Sequence, residues 1–111
     1  MNLVIYAHDM PLPATVRSYA EDKVRRLDRH FDRILDARLE FDLPSRKRLN
    51  PPKQAELLVH VHGGHLKGKA VSLNLQEAVD MVVDKVDQQL RKRKERIKDH
   101  KALPARGKPR N

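Results

Sequence analysis

The sequence contains no cysteine, which excludes disulfides, thiolate metal sites, cysteine nucleophiles and thiol redox switching. Tryptophan is also missing and aromatic residues are only 4% of the chain, so a surface for stacking unpaired bases has few side chains to build it. No stretch approaches the roughly 20 apolar residues needed to span a bilayer. The start, Met1 to Tyr6, lacks the basic and apolar regions of a secretory signal. A cytoplasmic protein without membrane contact is expected. Ser18, Ser45 and Ser72 lie in no strained-elbow context, no acidic pair is placed for acid/base work, and Gly63-Gly64 is hairpin chemistry, not a phosphate loop. The chain is therefore expected not to be an enzyme, to need no cofactor and to take no small-molecule substrate.

What is abundant is positive charge. The 111 residues suit one domain, and 24 Lys+Arg against 15 Asp+Glu give a net charge of +9, which points to a polyanion as partner. The excess is uneven: residues 1–90 carry 14 basic and 13 acidic side chains, residues 91–111 carry 10 and 2. Any binding surface on the near-neutral body must come from sorting the two signs onto different faces.

Hydrophobic periodicity supplies those faces. Leu3-Val4-Ile5-Tyr6-Ala7 reads as a strand. Val16, Ala20, Val24, Leu27 and Phe31 then repeat at helical spacing after Pro13, a residue suited to a first helical turn. Leu35, Ala37, Leu39, Phe41 and Leu43 alternate with polar residues as a second strand. Residues 44–52, with Pro44, Pro51, Pro52 and Arg46-Lys47-Arg48, form a loop. Ala55, Leu57, Val59 and Val61 mark a third strand, and Gly63-Gly64 turns it into a fourth, from about His65 to Ser72. Asn74 and Glu77 make a capping-box variant at the start of a long helix whose stripe is Leu75, Ala78, Val79, Val82, Val86 and Leu90. Arg93 then falls where an apolar residue is due, so the helix is expected to leave the core there and run into solvent. The fold class is α+β, in the order β-α-β-β-β-α: a four-stranded mixed sheet with two helices packed on one face and the other face open. Residues 1–100 form the domain and residues 101–111 a basic disordered tail.

On the first helix, Tyr19, Lys23, Arg26 and His30 share one flank, with Arg25 and Arg29 in a neighbouring row. On the second, Lys85, Lys92 and Arg96 share one flank, and Arg91, Lys94 and Lys98 the other; Asp80, Asp84 and Asp87 lie toward that second flank, nearer the helix start. Basic residues late in a helix also suit its dipole, but their density from Arg91 to Lys101 exceeds what capping needs. His60, His62 and His65 could converge on a metal; exposed histidines on an open sheet face are the simpler reading, and no metal is expected.

The β-α-β-β-β-α order, Arg17, the Phe31-Asp32-Arg33-Ile34 joint, the His60-Val61-His62-Gly63-Gly64 hairpin, and the run Ala78-Val79-Asp80 through Asp84-Lys85-Val86 to Gln89-Leu90 resemble the ribosome hibernation promoting factor family, also called ribosome-associated inhibitors or ribosomal subunit interface proteins. The resemblance covers residues 1 to about 100. It implies a stress or stationary-phase translation inhibitor that binds small-subunit rRNA near the decoding centre, blocks mRNA and tRNA, and helps idle ribosomes pair. Lys23, Arg26, Lys85, Lys92, Lys94, Arg96 and Lys98 match the family's basic rRNA-contacting positions, and Arg91 joins them by its place on the Lys94 flank. The length implies a short form without a second, dimerising domain, monomeric when free, and the basic end implies the hibernation-promoting type over the acidic-tailed one. Pro13, Gln76, Gln88 and the basic, proline-rich loop 44–52 depart from the family pattern. The alternative is a stand-alone double-stranded RNA-binding protein, whose domain also packs two helices on one sheet face.

Overall fold

A computed structural model describes the chain at residues 1–31, 34–47 and 49–102, with side chains along the last helix followed to residue 94. The order is β1 (Asn2–Ala7), α1 (Ala14–His30), β2 (Ile34–Asp42), β3 (Lys53–Val61), β4 (Gly64–Ser72) and α2 (Leu75–Ala102). The sheet order is β1-β2-β3-β4, with β1 parallel to β2 and the other neighbours antiparallel. The expected tail from residue 103 on lies outside the described residues.

One core lies between the sheet and the helices. Val16, Ala20, Val24 and Leu27 of α1, and Ala78, Val79, Val82, Val86 and Leu90 of α2, are buried with the inward residues of β2 and β3. Across the sheet, large and small residues alternate. Phe41 lies between Ala7 and Ala55 in register, whereas Leu39 lies between Ile5 and Leu57. Small residues recur where α2 crosses β4: an ideal Cβ on Gly68 would lie 3.1 Å from Val86 Cγ2 and 3.4 Å from the Val82 carbonyl oxygen. Helix and strand approach closely because that Cβ is absent. Gly68→Val is expected to push α2 off β4 and destabilise the fold by about 1–3 kcal/mol, and Gly68→Ala by less; denaturant unfolding measures both, and a neutral Gly68→Val would contradict the close approach.

Three local features differ from the sequence expectation. Pro13 is the N-cap of α1 instead of a first-turn residue; its carbonyl accepts hydrogen bonds from the Val16 and Arg17 amides, both at 3.0 Å, and no side chain caps the helix. Leu35 is exposed and Ile34 buried because a β-bulge interrupts the register: Ile34 pairs with Val61 and Asp36 with His60, so Leu35 is the extra residue. At α2, the Glu77 amide donates to Asn74 Oδ1 at 3.1 Å as expected, but the Glu77 carboxylate accepts from the Ser72 hydroxyl, whose oxygen in turn accepts the Asn74 amide at 3.2 Å. The capping box therefore closes through Ser72.

Candidate nucleic-acid interface

The topology makes the helices parallel. Each runs antiparallel to β2, one after a parallel crossover and the other after two antiparallel steps, so α1 and α2 lie side by side in the same sense. Their contacts follow this order: Tyr19 and Lys23 of α1 meet Asp80 near the start of α2, and Phe31 after α1 meets Lys94 further along it. Both C-terminal halves are basic, so they reach the same end of the molecule together. Exposed Arg26 and His30, on the flank of α1 that carries Tyr19 and Lys23, face exposed Arg91 and Lys94 of α2, while exposed Arg25 and Arg29 form the next row outward on α1 and exposed Lys92 lies on the other flank of α2 with Lys85, toward β4. Repulsion between these rows is relieved in part at α1, whose dipole ends with partial negative charge beside Arg29 and His30, whereas α2 runs on to Ala102.

The predicted basic residues divide by what they touch. Lys23 Nζ is 3.3 Å from Asp80 Oδ1 and 5.7 Å from the centre of the Tyr19 ring, which anchors it between the helices. Tyr19 donates its phenolic proton to the same oxygen at 2.6 Å. That hydrogen bond, with lesser contributions from desolvation and from the Asp80 charge, raises the Tyr19 pKa above its ordinary value, so the bond is intact at neutral pH and is lost only as alkaline pH passes the folded value. Lys85 donates to the Lys69 carbonyl at 2.6 Å and Gln89 to the Lys67 carbonyl at 2.9 Å, so together they cover the outer edge of β4. Arg91 pairs with Asp87 at 3.0 Å, four residues back. Lys94 lies over the Phe31 ring at 5.9 Å. Arg26 and Lys92 stand exposed. The side chains of Arg96 and Lys98 lie outside the described residues, on the backbone of α2.

Arg93 answers the question raised by its place on the apolar stripe. Its guanidinium donates to the His62 carbonyl at 3.1 Å and lies over the β3–β4 turn. Gly63 there has φ +90°, and a Cβ on it would be 3.4 Å from Arg93 Nη2. The turn thus presents bare backbone to a cation, and α2 stays docked on the sheet through Arg93, three residues beyond Leu90. This correction to the expected departure at Arg93 matters for the site, because it fixes Lys92 and Lys94 relative to the body. The sequence signal was the pairing of Gly63-Gly64 with an arginine on the apolar stripe.

The open sheet face has a different character. Its neighbours are matched in charge, Arg38 with Glu40 along β2 at 3.5 Å, Lys67 with Glu56 across β4 and β3 at 3.2 Å, His8 with Glu40 at 2.8 Å and His60 with Asp36 across β3 and β2 at 2.5 Å. His60 packs against His65 with ring centres 6.0 Å apart. Among the described residues no group of three His, Asp or Glu converges as a metal site. Charge matched in this way has little to offer a polyanion, so the unbalanced surface is the helical one.

Comparison with known proteins gives a consistent set of likenesses. The family described as "Sigma 54 modulation protein / S30EA ribosomal protein" matches residues 3–98. A ribosome hibernation promoting factor of Azotobacter vinelandii is 32% identical over 96 residues, spanning 86% of this chain and 85% of that protein. A ribosome hibernation promotion factor of Picosynechococcus is 27% identical over 97 residues, but those cover only 50% of its length. Among solved structures, the Thermus thermophilus Protein Y N-terminal domain superposes with a TM-score of 0.70 at 27% identity, covering 83% of this chain and 98% of that one. A ribosomal subunit interface protein of Coxiella burnetii gives 0.72 at 21% identity, a likeness of fold, over 86% and 99%.

Proposed function

Because the chain belongs to the Sigma 54 modulation protein / S30EA ribosomal protein family, we propose that it is a ribosome hibernation factor: a non-catalytic cytoplasmic protein that binds the small ribosomal subunit and holds idle ribosomes inactive. The observation that carries the reading is the shared basic end of α1 and α2, where Arg26, Arg29, Lys92 and Lys94 are exposed on parallel helices. Two adjacent cationic rows suit phosphates lying between them, and each phosphate neutralised releases condensed counterions.

In this reading the body docks on small-subunit rRNA near the decoding centre through Arg26, Arg91, Lys92, Lys94, Arg96 and Lys98, and occupies the path of mRNA and tRNA. Lys23 and Lys85 have a second role. Their contacts with Asp80 and the Lys69 carbonyl hold α2 against α1 and β4, so they position the rows as much as they meet RNA. Translation stops because the path is filled, with no chemical step. Stress and stationary phase are when such a block is useful, and pairing of idle ribosomes is its further consequence.

Sucrose-gradient sedimentation with purified ribosomes, alongside a cell-free translation assay, tests the proposal. Co-sedimentation with small subunits and 70S particles, together with dose-dependent inhibition, is expected. Tight binding to any naked RNA duplex without preference for ribosomes would favour a stand-alone double-stranded RNA-binding protein instead.

A further inference from the structure

The second concentration of basic residues is at the other end of the molecule. The loop between β2 and β3 leaves the sheet opposite the β3–β4 turn, so β3, nine residues long, separates it from the basic ends of the helices by about 30 Å. Residues 43–52 contain Arg46, Lys47 and Arg48 and no acid.

Two cations, Arg46 within the loop and Lys53 at its exit, are held by neutral acceptors. Arg46 donates to the Asp9 carbonyl at 3.1 Å and the His8 carbonyl at 3.4 Å, tying the loop to the segment after β1. At the other end Lys53 Nζ donates to Asn50 Oδ1 at 2.9 Å, the Pro51 carbonyl at 3.2 Å and the Leu73 carbonyl at 3.1 Å. None of these acceptors is a carboxylate, so both cations keep their field while losing their freedom. On the open sheet face the reverse holds, since Arg38 and Lys67 meet Glu40 and Glu56. Pro44, Pro51 and Pro52 restrict the backbone further, and Lys47 is exposed near the tip. Among the described residues no carboxylate pairs with Arg46, Lys47 or Lys53, and a loop with fixed ends and such charge pays little ordering entropy on meeting a phosphate chain.

We propose that the β2–β3 loop is a second RNA-binding site, which holds the phosphates of a segment of ribosomal RNA distinct from the one under the helices. The proposal rests on the ribosome reading and deepens it: the domain bridges two RNA segments about 30 Å apart, an arrangement that a folded ribosomal RNA presents. Arg46 orders the loop, and exposed Lys47 supplies charge, with Arg48 next to it in the sequence.

The test compares ribosome binding by the full chain, by Lys47→Glu with Arg48→Glu, and by Lys92→Ala with Lys94→Ala, from 50 to 200 mM salt, with hydroxyl-radical footprinting of the rRNA. The loop variant is expected to keep its Tm, to bind roughly tenfold or more weaker and to lose about 2 from the salt slope, as two phosphate contacts require. Its lost protections should fall on rRNA positions different from those lost by the helix variant. Wild-type binding by the loop variant while the helix variant is impaired overturns the loop site and leaves the ribosome reading standing. Loss of the same protections by both variants overturns the bridging of two segments. Wild-type binding by both variants overturns the helical interface and the loop site alike, and failure of the full chain to bind ribosomes removes the ribosome reading and the loop site with it.

Discussion

Replacing Lys92 and Lys94 by alanine is expected to weaken ribosome association on the order of 100-fold at moderate salt without unfolding the domain. Charge-assisted contacts contribute roughly 1.5 kcal/mol or more apiece, about tenfold each, and this pair removes two. Both side chains are exposed on the surface of α2. Lys92 contributes little to the fold, and Lys94 contributes only its position over Phe31, on the order of 0.5–1 kcal/mol. Glu56→Ala is the control, because it removes an acid from the open sheet face and breaks only the pair with Lys67. Equal losses from the two changes, measured by co-sedimentation at fixed salt, would contradict the placement of the interface on the helices.

The second large effect is on stability. Phe41→Ala is expected to cost about 3–5 kcal/mol, because the ring is fully buried in β2, next to the central pairing with β3, and its in-register neighbours Ala7 and Ala55 are too small to fill the space. Small domains hold only about 5–15 kcal/mol in total, so this change brings the protein close to unfolding. A fall in Tm of at least ~12 °C by circular dichroism is expected. Phe41→Leu should cost much less, since it keeps most of the buried volume. A small effect of Phe41→Ala would mean that α2 collapses onto β2 and β3 more freely than the packing around Gly68 allows.

The elements themselves were legible because their signals are local. Val16, Ala20, Val24 and Leu27 repeat along one helix, and Ala55, Leu57, Val59 and Val61 alternate along one strand; all are buried. The relations that decide what each charge does are long-range. Asp36 reaches His60 only through the register that the bulge at Leu35 sets, and residue spacing within either strand carries no trace of it. Similarly, Lys85 looks like a free cation on its helix until β4 places the Lys69 carbonyl beside it. Lys23 is drawn to Asp80 because the connections make the two helices parallel. Flank assignments by helical period therefore grouped residues that share a side of the helix but could not separate those held by the protein from those left exposed. Arg93 failed as an apolar stripe position and succeeded as a clamp on a glycine turn, a partnership visible only once β3 and β4 had folded back.

Central to the account is that binding to the ribosome is carried by cations meeting phosphates. The salt dependence of the affinity tests this most directly. With six or more phosphates neutralised by the helical rows, the association constant should fall by roughly 10³ or more between 50 and 200 mM salt, linearly in the logarithm of salt concentration. An affinity that hardly changes over that range would contradict it, because a contact dominated by apolar or neutral polar groups is the kind that salt leaves alone.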